Sequence, residues 1–171
     1  MSKNEIQETI KIFQPESIFV AGEPAYAVKV IQLLRSLNYN KPIVGSDSFD
    51  SKDVESLKGG DIYYTTHAFV NTETADPIVQ IFIKDYVEKF HSEPDGSFAA
   101  LGFDTVYLLA RAVNIAQSTS ASKVAEALHK IKNHHLVTGN ITFVEKSNIP
   151  EKSLSIIKLG NEKKSVAAVV E

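Results

Sequence analysis

The first 67 residues alternate short β-branched or aromatic runs with helical patterns, and this alternation limits the fold more than any other feature of the chain. The pattern predicts strands at 17–21, 42–45 and 62–67, and helices at 6–13, 24–37 and 51–58. Strands that alternate with helices form βαβ units, whose strands are parallel and whose crossovers are right-handed. We therefore expect an α/β fold in which helices cover a parallel sheet in three layers.

The middle of the chain changes character and predicts three successive helices. Asp76-Pro77 is an N-cap followed by proline at the first helical position, and further helices are expected at 98–117 and through 124–131. The stretch 98–116 is the longest apolar one, but Asp104 and Arg111 within it would be expensive inside a membrane. We therefore expect a fully buried helix there.

The last part of the chain returns to strand patterns, at 139–144, 153–159 and 165–170. Gly160-Asn161 supplies a turn between the last two runs, and Gly59-Gly60 ends the short helix at 51–58. The sequence therefore ends in a predicted hairpin.

Composition excludes several classes of function. The 171 residues carry 18 Lys and Arg against 21 Asp and Glu, a net charge of −3, so there is no basic surface for nucleic acid or anionic lipid. The absence of Cys excludes a disulfide framework, a thiol nucleophile and a thiolate metal site. The first eight residues are mostly polar, of mixed charge and not followed by an apolar run, so we expect no secretory signal in this sequence.

Two acidic residues follow the first two predicted strands directly. Glu23 precedes a helix that begins at Pro24, and Asp47 lies in the loop after the second strand. Ligands of open parallel sheets bind beyond the carboxyl ends of the strands, where both acids are expected. The pair could recognise an ammonium group, bind Mg²⁺ or transfer protons, but a carboxylate at a helix N-terminus is also stable without a ligand.

The magnesium alternative needs more carboxylates than these two. Asp50 and Asp53 are nearby, but they fit the cap and first turn of the helix at 51–58 better. His129, His134 and His135 are expected at a helix end, where histidine complements the dipole. No nucleophile elbow, phosphate-binding loop or dinucleotide fingerprint is present. The sequence therefore predicts a binding protein without cofactor, metal or catalytic residues.

Four segments, in order, resemble one family. They are Pro15 to Gly22, Gln32 to Leu37, Lys41 to Phe49 and Leu101 to Ala110. Together they resemble the type I periplasmic binding proteins, specifically the branched-chain amino acid binding family of ABC importers. In that family two lobes close over a small solute, and acidic and aromatic residues of one lobe hold its ammonium group and side chain.

The resemblance assigns roles to individual residues. Asp47 looks like the ammonium-binding acid, Glu23 takes the place of a ligand-contacting polar or aromatic residue, and Phe98 takes that of an aromatic pocket residue. Phe103 replaces the tyrosine of a Tyr-Asp pair and lacks its hydroxyl. The ligand-binding residues that the resemblance implies are Asp47, Glu23, Ser46, Phe49, Phe98 and Phe103.

Full members of the family are about twice as long, so the resemblance implies the C-terminal half of a two-lobed protein. It places 1–69 and 141–171 in the second lobe and the helices of 70–140 in the first. The implied function is the non-catalytic solute-binding component of an ABC importer for amino acids or similar solutes. The parent protein would be periplasmic or lipid-anchored outside the cytoplasm and would contact a membrane permease.

Two alternatives stay open. One is the ligand-sensing domain of a receptor or regulator, and the other is a stand-alone α/β domain with an Mg-binding acidic rim. Because half of the family's fold would be missing, we also expect weak or no binding of free amino acids and self-association through exposed helix faces.

Overall fold

The computed structural model describes residues 2–57, 60–145, 147–160 and 163–170. By their internal contacts the residues form two units: unit 1 is Met1–Thr66 with Ser155–Val169, and unit 2 is His67–Leu154 with Val170–Glu171. Residues 141–154, which the resemblance places with 1–69 in the second lobe, lie in unit 2. The assignment of the two units to lobes stays a prediction.

The elements follow the expected order in the first half of the chain. They are α1 (Lys3–Phe13), β1 (Ile18–Val20), α2 (Pro24–Ser36), β2 (Ile43–Gly45), a 3-10 turn (Asp47–Phe49), α3 (Lys52–Glu55) and β3 (Ile62–Thr66). The second half comprises α4 (Pro77–Phe90), α5 (Phe98–Ala116), α6 (Ala121–Leu128), β4 (His134–Leu136), β5 (Gly139–Ile141), β6 (Leu154–Leu159) and β7 (Lys164–Val170).

Five strands form one sheet in the order β1-β2-β3-β6-β7. The first three are parallel, and Val20 pairs with Gly45, which pairs in turn with Tyr64. The next strand, β6, runs antiparallel to β3. The α/β class with a parallel sheet is thus confirmed for the N-terminal strands, and the C-terminal strands make the sheet mixed.

Helix α2 and the strands both contribute to the core of unit 1. Helix α2 buries Ala27, Ile31 and Leu34, which recur at helical spacing. The strands contribute alternate residues, since β3 buries Ile62, Tyr64 and Thr66. By contrast, α1 has a complete capping box but buries no residue, so it is a capped helix whose apolar face stays outside the core.

In the described residues, unit 2 holds three helices, α4 to α6, and a two-stranded antiparallel ribbon, β4–β5. Its buried residues form three groups: Val79, Phe82, Ala100 and Val137; Leu108, Ile131, Leu136 and Ile141; and Ala112, Val124 and Ala127. Helix α5 contributes to all three groups, and α5 is therefore the central element of the unit.

The expectation that α5 is fully buried is wrong. It buries Ala100, Asp104, Leu108 and Ala112, a row at four-residue spacing, while its other sides expose large apolar side chains. Among the described residues it is the one helix whose length and composition would allow a membrane crossing, and 22% of that stretch is buried. Core helices of soluble proteins pass the same two criteria, and Asp104 and Arg111 stand against a membrane span.

Two predicted boundaries also fail. Helix α6 ends at Leu128, and Ile131 is buried beyond it. The strand predicted at 139–144 stops at Ile141, which pairs with His134, the first residue of β4. Gly139, at φ +100°, helps to turn the chain back from β4 into β5. Of the turns expected from sequence, Gly59 and Asn161 lie outside the described residues.

Candidate functional site

The loops after β1 and β2 leave the sheet at the same edge, because the two strands are parallel and in register. Glu23 is the exposed N-cap residue of α2, and Pro24 follows at the first helical position. The Glu23 carboxylate makes no capping hydrogen bond. The start of α2 thus places this acid at the carboxyl edge of the sheet, and the helix cap does not use its side chain.

Asp47 opens the 3-10 turn after β2 and is partly exposed. Its neighbours fix the loop: the hydroxyl oxygens of Ser46 and Ser48 lie 3.0 Å apart, and Ser48 Oγ donates to the Gly22 carbonyl at 2.7 Å. Gly22 precedes Glu23 and Ser48 follows Asp47, so this bond joins the two acid-bearing loops. We call residues 22–23 and 46–48 the acidic rim.

Phe49, which the resemblance implied as a ligand contact, is fully buried. Its ring packs on Gly45 so closely that a Cβ atom there would lie 2.3 Å from the ring. A side chain without exposed surface has no access to a ligand in this structure. Phe49 instead supports the turn that carries Asp47.

Asp50 is not the helix cap that we expected. Ser51 caps α3, with its hydroxyl accepting from Val54 N–H at 3.4 Å. The Asp50 carboxylate is 3% exposed and accepts hydrogen bonds from Thr66 Oγ1 at 2.6 Å and Tyr64 OH at 3.4 Å. It therefore fixes the end of the 3-10 turn to β3.

Charges from β7 and α3 complete this buried group. Lys164 Nζ lies 3.9 Å from Asp50 Oδ1 and also pairs with Glu55. Burial, and then the Asp50 carboxylate, raise the pKa of Tyr64. Tyr64 therefore stays a neutral hydrogen-bond donor to Asp50, and the network is structural.

Two residues at or beside the acidic rim escaped the sequence prediction. Ser48 makes the bond that joins the loops, and the exposed Tyr26 places its ring over Gly22, where an added Cβ would lie 2.5 Å from the ring. Tyr26 is in the first turn of α2, and an aromatic residue one turn after a rim acid was the available signal.

Phe98 and Phe103 belong to unit 2, on α5. Phe98 is 48% exposed, and Phe103 is 39% exposed with its ring centroid 5.4 Å from that of Phe82. Asp104, next to Phe103, is buried and accepts bonds from Val137 N–H at 3.1 Å and from Thr138 N–H and Oγ1 at 2.9 and 2.7 Å. This carboxylate anchors the connection between β4 and β5.

The histidines do not gather at a helix end. His129 follows α6, whereas His134 and His135 lie on β4, because the helix stops before them. Within the described residues no group of three or more His, Asp or Glu is arranged to hold a metal ion. Among these described residues, therefore, no set of ligands supports the magnesium alternative.

A comparison with protein families matches a model described as periplasmic binding protein to residues 6–164. The chain belongs to this family. No curated protein matches the chain. The sequence resemblance is thereby confirmed at the level of the family.

Solved structures of this family share the fold. A leucine-binding protein, LivK, from Thermotoga maritima has a TM-score of 0.83 and 23% identity, over 99% of this chain and 49% of that one. The branched-chain amino acid binding protein LivJ from Streptococcus pneumoniae, in complex with isoleucine, has a TM-score of 0.73 and 25% identity, over 95% and 47%. A solute-binding protein from R. palustris, in complex with benzoate, has a TM-score of 0.76 and 18% identity, and the match covers 96% of this chain and 46% of that one.

The chain therefore spans about half the length of the solved structures that it matches. These structures contain different ligands, among them isoleucine and benzoate. The family membership fixes the fold of this chain, whereas the solutes of the matched structures differ from one to the next.

Proposed function

We propose that this chain provides one side of the solute-binding site of an ABC importer's binding protein, for amino acids or similar small solutes. The observation that carries the proposal is the hydrogen bond of 2.7 Å from Ser48 Oγ to Gly22 O, which joins the loops of Glu23 and Asp47. A loop fixed in this way presents its acid at little entropic cost when a ligand binds. The role is binding, without a chemical step.

In this proposal Asp47 accepts hydrogen bonds from the ammonium group of the solute. A charge-assisted contact of this kind contributes about 1.5–3 kcal/mol. Glu23 and Ser46 add polar contacts at the same rim, and the Tyr26 ring, over Gly22, offers an apolar surface to the solute. Phe49 does not contact the solute in this proposal; its buried ring supports the 3-10 turn that carries Asp47.

The resemblance supports the remaining assignments. We propose that the chain is the C-terminal half of the two-lobed fold, with unit 1 in the second lobe and α4 to α6 in the first. Phe98 and Phe103 are proposed solute contacts on that basis, Phe103 without the hydroxyl of the family's tyrosine. The whole protein would function outside the cytoplasm and deliver its solute to a membrane permease.

The affinity of this chain for free amino acids is expected to be weak, because the loops that hold the solute's carboxylate in the family lie in the half that the chain does not match. Isothermal titration calorimetry against branched-chain and polar amino acids measures this affinity. A submicromolar dissociation constant would show that the chain binds the solute without those loops.

The role of Asp47 is testable with a matched pair of variants. Asp47→Asn removes the charge at the acidic rim, while Asp53→Asn removes an exposed charge on α3. Titration with leucine at millimolar concentration should shift the amide resonances of residues 46–48 in the wild type and in Asp53→Asn. The same shifts in Asp47→Asn would refute the proposed ammonium contact.

A further inference from the structure

His135 connects the β4–β5 ribbon to the N-terminus of α4. Its Nε2 lies 2.7 Å from Asp76 Oδ2, and its Nδ1 lies 2.9 Å from Asn140 Oδ1. The other oxygen of Asp76 accepts from Ile78 N–H at 3.1 Å and so caps α4. One imidazole thus bridges the helix cap and both strands of the ribbon.

Both atoms that face the ring are oxygens, and oxygen of a carboxylate or an amide only accepts hydrogen bonds. A protonated imidazole has two N–H donors and satisfies both oxygens. A neutral imidazole has one, so either a bond is lost or the Asn140 amide must rotate. The arrangement observed therefore matches the charged form of His135.

We propose that Asp76, His135 and Asn140 form a proton-dependent latch that fastens the β4–β5 ribbon to the first turn of α4. Asp104 holds the connection between the two strands separately, through Thr138. Its opening would loosen the ribbon at its α4 side while the Asp104 side stays bonded.

The charged groups around the ring favour the protonated form. The hydrogen bond to Asn140, then the bond to Asp76, raise the pKa of His135; the Asp76 and Asp104 charges act in the same direction, and burial opposes them. On β4 itself, His134 has its pKa lowered by burial and by the charge of Arg111 on α5. His134 is therefore the more readily neutral of the two, which limits its repulsion of a charged His135.

The sign of the pH effect follows from linkage. Because the folded-state pKa of His135 lies above the unfolded value, the latch contributes its full stability below the unfolded value of about 6.5. That contribution is lost as the pH rises through the folded-state pKa. The ribbon should thus be tighter in mildly acidic than in alkaline solution.

NMR titration of the histidine ring resonances tests this directly in the full chain. We expect His135 to titrate above pH 6.5, its ordinary pKa, and to titrate lower in Asp76→Asn, which keeps a capping side chain but removes the charge. A wild-type pKa at or below 6.5 would overturn the proposal, and this measurement needs no variant.

Hydrogen exchange tests whether the protonation of His135 changes the stability of the ribbon, which an ion pair without a latching role would not do. Protection of the Leu136 and Ile141 amides, corrected for intrinsic exchange, should fall between pH 5.5 and pH 8 in the wild type, a range that brackets the ordinary histidine pKa of about 6.5. His135→Gln should lose this dependence, and His91→Asn, at the other end of α4, should keep it. Equal dependence in His135→Gln would assign the effect to another group and refute the latch.

Discussion

Three aspartates of one short segment show how far side-chain roles depend on tertiary contacts. Asp47 is partly exposed at the acidic rim, Asp50 is buried in a hydrogen-bonded network, and Asp53 is exposed on α3. In the sequence all three precede or open the same predicted helix. Their environments differ because the 3-10 turn directs Asp50 toward β3, a strand that follows later in the chain.

Removal of the Asp50 carboxylate should destabilise the protein. Asp50→Ala leaves the hydroxyls of Thr66 and Tyr64 without this buried acceptor, a loss of about 1–3 kcal/mol in the free energy of unfolding. Asp53→Ala, on the exposed side of α3, should change it by no more than about 0.5 kcal/mol. Urea unfolding followed by circular dichroism compares the two, and equal effects would mean that the network contributes nothing.

At the scale of elements, sequence patterns located most strands and helices but not their partners. The runs that became β1 to β3 were recognisable because hydrophobic periodicity and flanking turn residues agree there. The acidic rim followed from that topology, since parallel strands share a carboxyl edge. Tertiary pairing decides the rest. Strand β5 ends where its pairing with β4 ends, and His134 and His135, which we expected near the end of a helix, lie on β4.

The space around two glycines predicts opposite effects of replacing them by alanine. Gly45→Ala would place a Cβ atom 2.3 Å from the ring of Phe49, which is fully buried and has no space to move, so we expect a loss of about 1–3 kcal/mol. Gly102→Ala adds a Cβ with nothing within 4 Å, in the interior of α5, and should gain up to about 1 kcal/mol through helix propensity. Thermal unfolding of both variants measures this; a neutral Gly45→Ala would contradict the tight packing.

At the scale of the whole molecule, the partial coverage of the matched structures agrees with the exposed apolar side chains of α5. The chain spans about half of the solved structures that it matches, and α5 leaves Val106 and Leu109 exposed by 69% and 52%. Apolar surface of this kind promotes association in water. Neither feature is visible in hydrophobic periodicity, which cannot show whether a partner for an apolar face is present.

We therefore expect the chain to self-associate through α5 at concentrations on the order of tens of micromolar. Val106→Asp should shift the sedimentation coefficient toward that of a monomer. Ile149→Asp is the control, because Ile149 is 78% exposed outside the helices and should not matter. A wild type that sediments as a clean monomer in this range would rule out the association.

The most direct test of the proposed function compares three ligands that share one apolar side chain. Leucine carries both an ammonium and a carboxylate group, isoamylamine only the ammonium group, and isocaproate only the carboxylate. Each is titrated into the chain while the amide resonances of the acidic rim are followed. We predict that leucine and isoamylamine shift the resonances of residues 46–48 and that isocaproate does not; shifts with isocaproate alone, or with none of the three, would contradict a rim that binds an amine.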